Sequence, residues 1–143
     1  MTLNESVWVD DMTAVVTQVP SLVACFADPH KLLVPPGLGA FPCAAFSSAG
    51  LPNVPNVFNC GAPTQNFLTL LMSSITLPPP LSLGGAISGV FFGPCRYGSS
   101  SFRVTVCVFG VTRLLDLSLV NGFIANAFGI HISPSQFKVW INS

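Results

Sequence analysis

The chain has 143 residues, a length that suits one domain with a substantial core. Half of the residues are apolar and only 7% are charged, and the five basic and five acidic side chains cancel. Because an average soluble domain is about a quarter charged, much of this surface must be uncharged or covered by a partner. The few scattered cations exclude the basic stripe that a nucleic-acid backbone requires.

A long stretch without any charged side chain lies between Lys31 and Arg96 and raises the question of a membrane span. Proline, glycine, asparagine and glutamine interrupt it, so it lacks the ~18 consecutive apolar residues that a spanning helix needs. The first residues, MTLNESVWVDDM, are acidic where a signal peptide is basic. The sequence therefore predicts no membrane span, and a protein that is cytoplasmic or secreted without a conventional signal peptide.

Residues 1–53 are predicted to form an irregular extension, since the sequence there is dense in proline, glycine and small residues. Within it, residues 6–19 could form a strand or a short helix, and residues 20–27 a strand.

An ordered pattern begins at residue 54. Residues 54–60 are strand-like, residues 64–75 carry an apolar stripe at helical spacing with Thr64 as the cap, and prolines then end that helix. Residues 84–92 form a continuous apolar run bounded by glycine, which is typical of a strand covered on both faces.

The same order of elements occurs a second time. Residues 102–111 alternate as a strand does, residues 114–128 carry a helical stripe that Gly129 would end, and residues 137–142 alternate with period two. The sequence therefore predicts an α+β domain over residues 54–143, with two β-α-β units and two helices on one face of a four-stranded sheet.

The closing strand is expected to serve packing. Phe137, Val139 and Ile141 would share a buried face, and Lys138 and Trp140 the other.

Three stretches resemble the macrophage migration inhibitory factor family of the tautomerase superfamily. They are APTQNFLTLLMSSI, RYGSSSFRVTVCVFGV and SLVNGFIANAFGIHISPSQFKVWIN, which occur in the family's order with nearly its spacing and cover about residues 54–143. The resemblance implies a trimer of two β-α-β units per subunit. It also implies keto-enol tautomerisation of small aromatic keto acids such as phenylpyruvate, without a metal or a cofactor.

The resemblance also implies site residues. Pro55, or less well Pro52, matches the family's catalytic proline, whose free amine is the general base, and Phe109, Lys138 and Ser101 match positions near the substrate. Here, however, the proline is internal, and an amide nitrogen is not a base. The family's carboxylate-binding lysine after the first helix is also replaced by prolines. Catalysis is therefore expected only if the chain is cut before Pro55.

Other residue clusters give weaker signals. The five cysteines and two histidines show no zinc spacing, which favours reduced, buried thiols, and His30 is expected in a loop. Ser99 to Ser101 with His131 and Asp116 match a triad only in composition. Arg96 and Arg103 flank that serine loop.

Three functions therefore remain open. The chain could be a tautomerase with impaired catalysis, a non-catalytic cytokine-like or scaffold protein of the same fold, or a self-assembling structural subunit. The shortage of charge favours a homo-oligomer in each case, and the resemblance favours a trimer.

Overall fold

A computed structural model describes residues 12–35, 37–77 and 82–142. These residues contain strands and one 3-10 turn at Ser47–Ala49, and no α-helix. None of their helical turns could cross a membrane. The strands, in chain order, are β1 (Met12–Ala14), β2 (Leu22–Leu32), β3 (Leu38–Phe46), β4 (Gly50–Leu51), β5 (Val54–Asn59), β6 (Ala62–Thr64), β7 (Leu70–Leu71), β8 (Ser74–Thr76), β9 (Ser82–Gly85), β10 (Cys95–Tyr97), β11 (Thr105–Val106), β12 (Phe109–Gly110), β13 (Leu117–Val120), β14 (Ala127–His131) and β15 (Trp140–Asn142).

The main sheet has nine strands, in the order β4-β7-β10-β13-β14-β2-β3-β8, with β9 pairing onto the far half of β2. All of its pairs are antiparallel, and a bulge between Cys25 and Asp28 divides β2 into two halves. Three small two-stranded sheets surround it: β1 with β15, β5 with β6, and β11 with β12.

The predicted α+β fold is therefore wrong, and so is the irregular extension over residues 12–53; residues 1–11 lie outside the described residues. Strands β2, β3 and β4, which lie before residue 54, belong to the same sheet as β7, β10, β13 and β14. The strand predicted over residues 20–27 is confirmed as the start of β2, and that over residues 54–60 as β5.

The first predicted helix, residues 64–75, is replaced by a turn and two short strands. Asn66 Oδ1 accepts from the Leu68 amide, and Thr69 Oγ1 accepts from the Asn66 amide at 3.2 Å. These bonds from short polar side chains to the local backbone compete with helical hydrogen bonds. The chain then pairs as β7 and β8 with strands that are distant in sequence.

The second predicted helix, residues 114–128, is an antiparallel pair, β13 and β14. Asn121 and Gly122, at the turn between them, have φ of 58° and 135°, the left-handed region that asparagine and glycine tolerate best. Gly129 is not a helix stop. It lies inside β14, where an added Cβ would come within 2.9 Å of the Ala24 carbonyl oxygen.

Three predicted strands also differ. Residues 102–111 form two short strands, β11 and β12, that pair with each other. Residues 84–92 contain only the end of β9, where Gly84 has a positive φ, followed by a turn in which Gly89 also has a positive φ. The closing strand is limited to Trp140–Asn142, and Phe137 is 72% exposed instead of buried.

The interior of the molecule mixes polar side chains with a small apolar core, and large apolar side chains are exposed at its surface. Among the described residues, buried polar side chains outnumber buried apolar ones, and the largest buried ones include His30, His131 and Gln65. All twelve phenylalanines lie in the described residues, and none is buried. Phenylalanine is normally one of the most buried residue types, so this degree of exposure is unusual for a folded domain.

Candidate functional site

The most polar part of the interior is built around Asp28 on β2, which is fully buried. Its Oδ2 accepts from Thr76 Oγ1 at 2.5 Å, from Asn121 Nδ2 at 2.9 Å and from His30 Nε2 at 3.0 Å. Its Oδ1 accepts from Asn126 Nδ2 at 2.5 Å. We call these five residues the Asp28 cluster.

The Asp28 cluster ties together elements that are far apart in sequence: β2, β8 and the turn between β13 and β14. Four donors occupy the two carboxylate oxygens, and His30 Nδ1 lies 3.0 Å from Ser82 Oγ on β9. His30 is thus a buried strand residue and not the loop residue that its sequence predicts. A carboxylate that accepts from four donors in a closed interior is suited to holding strands together and not to moving a substrate proton.

A second buried histidine, His131, ends β14. Ser47 Oγ donates to the Val19 carbonyl, and Ser21 Oγ donates to Ser47 Oγ. Ser21 Oγ therefore accepts from His131 Nε2, at 2.5 Å. This fixes the tautomer with the proton on Nε2, and Nδ1 is buried without a partner among the described residues.

Burial lowers the pKa of His131 from 6.5 to about 4, because a proton on Nδ1 would place an unpartnered charge inside the protein. Between pH 6.5 and 4 the unfolded chain therefore binds more protons than the folded one, so this contribution to stability is complete above pH 6.5 and is lost as the pH falls. We expect about 3 kcal/mol of the free energy of unfolding to disappear across that window.

Urea unfolding at several pH values checks this expectation. His131→Gln keeps a donor for Ser21 and should flatten the wild-type dependence between pH 4 and 6.5. His30→Gln is the matched control, since it alters the other buried histidine. A His131→Gln profile as steep as that of the wild type would contradict the assignment.

The buried thiols and the buried phenol lack nucleophilic character near neutral pH. Burial raises the pKa of Cys25, Cys43 and Cys95, and also that of Tyr97, whose hydroxyl donates to Gln65 Oε1 at 2.7 Å. The prediction of reduced thiols agrees with five free cysteines, but Cys60 and Cys107 are exposed.

The serine, histidine and aspartate residues that match a catalytic triad in composition do not form one. The Asp116 carboxylate accepts from Arg113 Nη2 at 3.0 Å and from Ser99 Oγ at 3.0 Å, and the backbone amide of His131 donates to the backbone oxygen of Asp116. Asp116 thus orders the turn before β13. The described residues also contain no group of histidine, cysteine and acidic side chains that could hold a metal ion.

The residues that the family resemblance implies lie in separate segments. Pro55 is an exposed residue of β5, and Lys138 is exposed before β15. Ser101 is 2% exposed, and its Oγ accepts from the Val104 amide. Ser101 is close to Gly110, the residue after Phe109 on β12, so these two predicted positions are neighbours. Tautomerase activity in a chain cut before Pro55 stays a prediction.

The outer face of the main sheet is apolar across its centre. Residues directly opposite each other on paired strands share a face, and the register aligns Leu117, Ile130, Ala24, Ala44 and Ile75 in one row across β13, β14, β2, β3 and β8. Ile130 is 41% and Ile75 is 44% exposed. This row lies on the solvent side, because the alternate residues of the same strands are buried.

A second row lies beside the first. It places Arg96 of β10 opposite Leu119 of β13, and Leu119 opposite Phe128 of β14, which is 67% exposed. Of the residues in the two rows, one is charged, Arg96. It lies on β10, two strand spacings or ~10 Å from β14. We define the outer face as these two rows.

A large apolar side chain offers about 150–250 Å². The exposed fractions across the main sheet, such as 67% for Phe128 and 42% for Phe46, therefore amount to several hundred Å². This is the scale of the roughly 800 Å² that each partner contributes to a standard interface.

Sequence reasoning missed the outer face because it assigned Phe128 to a helix that Gly129 would end. A usable signal was present in AFGIH, which alternates with period two and follows an Asn-Gly pair. Nothing in the sequence indicated that the large members of this alternation would be the exposed ones.

No family model, curated protein or solved structure matches the chain.

Proposed function

We propose that the chain is a non-catalytic, self-assembling structural subunit whose outer face packs on the outer face of a second copy. The observation that carries the proposal is the distribution of polarity: the inner face of the sheet buries hydrogen-bonded polar side chains beside a small apolar core, and its solvent side carries apolar rows. Monomeric soluble proteins rarely expose a contiguous apolar patch of more than a few hundred Å².

The chemistry of the outer face favours a second copy over a partner of different charge. Its two rows contain one charged side chain, Arg96, and the whole chain is formally neutral. Two sheets pack well face to face at ~10 Å, and homodimer interfaces are more apolar than others. With a two-fold axis near Ile130, Arg96 of each copy would lie toward the rim, where arginine is common and remains hydrated.

The buried polar groups support a structural role and not an enzymatic one. In the Asp28 cluster and around His131 they bind each other in a closed interior and cross-link distant strands. Such a network stabilises the sheet from inside, while its outer face is left for association.

Thiol labelling tests the proposal. In a background with Cys60→Ser and Cys107→Ser, the remaining natural thiols are buried, so a new surface cysteine reports its own accessibility. Leu117→Cys, in the first row, should react with a maleimide at least about tenfold more slowly in concentrated than in dilute protein, since association buries it. Leu33→Cys, a residue that is 66% exposed beyond the end of β2, is the control. Equal concentration dependence at both positions would overturn the proposal.

A further inference from the structure

A second apolar surface lies beyond one end of β10 and β13. It is a cleft of about 500 Å³, and its lining includes Val90, Phe92, Phe123 and Ile124. Phe92 is 60% and Ile124 is 71% exposed. We call it the loop cleft; its other lining residues are glycine, proline and serine, so it carries no charged side chain.

An exposed aromatic side chain lies beyond the opposite end of the same two strands. Phe102 is 96% exposed, the highest value among the large apolar side chains of the described residues. Its segment is anchored, because the Ser101 amide donates to the Val111 carbonyl at 2.9 Å and the Val111 amide donates to the Val104 carbonyl at 3.0 Å. The backbone on both sides of Phe102 is therefore held by hydrogen bonds, while the Phe102 side chain is exposed to solvent.

Hydrogen bonds establish that the cleft and Phe102 are at opposite ends. At the cleft end, the Gly122 amide donates to the Pro94 carbonyl at 2.9 Å. At the other end, the Gly98 amide donates to the Leu117 carbonyl at 2.8 Å, and Phe102 follows four residues later. Five residues of extended chain separate Pro94 from Ser99, which is ~16 Å.

We propose that Phe102 of one copy inserts into the loop cleft of the next. The cleft is larger than one phenylalanine ring and mostly apolar, which suits an aromatic side chain with its neighbouring apolar residues. Because the two surfaces differ and lie at opposite ends, the contact is head-to-tail, and a pair of copies retains one free cleft and one free Phe102. This proposal rests on the proposed function as an assembling subunit. The head-to-tail contact would extend the assembly from a closed pair of copies to a ring or an open chain.

The experiment separates this contact from the outer face by using Ile130→Lys as the background, which disables the first row. Two further variants are made in it: Phe102→Ser, which lacks the inserted side chain, and Ile124→Ser, which lacks part of the cleft. Leu33→Ser is the matched control at an exposed apolar position outside both surfaces. Sedimentation velocity measures the mass of each at high concentration, and circular dichroism confirms that each has folded.

In the background protein and in the Leu33→Ser control, masses above the monomer are expected. Phe102→Ser alone and Ile124→Ser alone should each be monomeric. Their equimolar mixture should form dimers and nothing larger, since one variant keeps the cleft and the other keeps Phe102. A mixture that stays monomeric, or single variants that still associate, would overturn the proposal. Failure of the outer-face contact would be seen separately, as an Ile130→Lys protein with the mass distribution of the wild type.

Discussion

Asp28→Asn is expected to remove about 2–3 kcal/mol from the free energy of unfolding, a substantial share of the 5–15 kcal/mol that stabilises a typical domain. The amide nitrogen would replace one carboxylate oxygen and face groups that already donate: Asn126 on one side, or Thr76 and Asn121 on the other. At least one buried donor would lose its acceptor, and the contact between His30 Nε2 and the Asp28 carboxyl group would be weakened.

Urea denaturation followed by far-ultraviolet circular dichroism measures this loss. Lys138→Gln is the control, because it changes the net charge by the same magnitude at an exposed position. We expect the control to lie within about 0.5 kcal/mol of the wild type. A loss below about 1 kcal/mol for Asp28→Asn would show that the Asp28 cluster does not hold the sheet together.

The sequence was informative where local pattern determines structure. The strand at the start of β2 and the strand β5 follow from short runs of strand-forming residues. The paired strands β13 and β14 were missed although Asn121-Gly122 is a strong turn signal, because apolar residues on both sides of it also fit a helical stripe.

The Asp28 cluster could not be predicted from the sequence. Its members at positions 28, 76, 121 and 126 are brought together by strand order, and no local pattern encodes that order. The outer face escaped prediction for a different reason. Sequence reasoning places large apolar residues inside, and this chain buries Ser118 and His131 while it exposes Leu117 and Ile130 on the same strands.

The shortage of charge was interpreted correctly as a property of the surface, but its location required the fold. A surface with few charged side chains is compatible with a trimer of β-α-β units or with two stacked sheets. The antiparallel register identifies where the uncharged surface lies, since it aligns Leu117, Ile130 and Ala24 in one row on the solvent side of the sheet. The trimer stays a prediction. Packing of one outer face on another is an alternative mode of assembly, and its contact residues are defined.

Ile130→Lys should weaken outer-face association about a thousandfold. Burying an uncompensated ammonium group at the centre of an apolar interface costs about 2 kcal/mol or more, and a two-fold interface includes the substitution twice. Folding should be unaffected, because Ile130 is 41% exposed and its side chain points away from the inner face.

Sedimentation velocity in a Phe102→Ser background tests the central claim most directly, since that background lacks the proposed head-to-tail contact. The account predicts a dimer for Phe102→Ser alone and for Phe102→Ser with Leu33→Lys, and a monomer for Phe102→Ser with Ile130→Lys at the same concentration. A folded Phe102→Ser protein that is already monomeric, or a dimer that persists with Ile130→Lys, would contradict it.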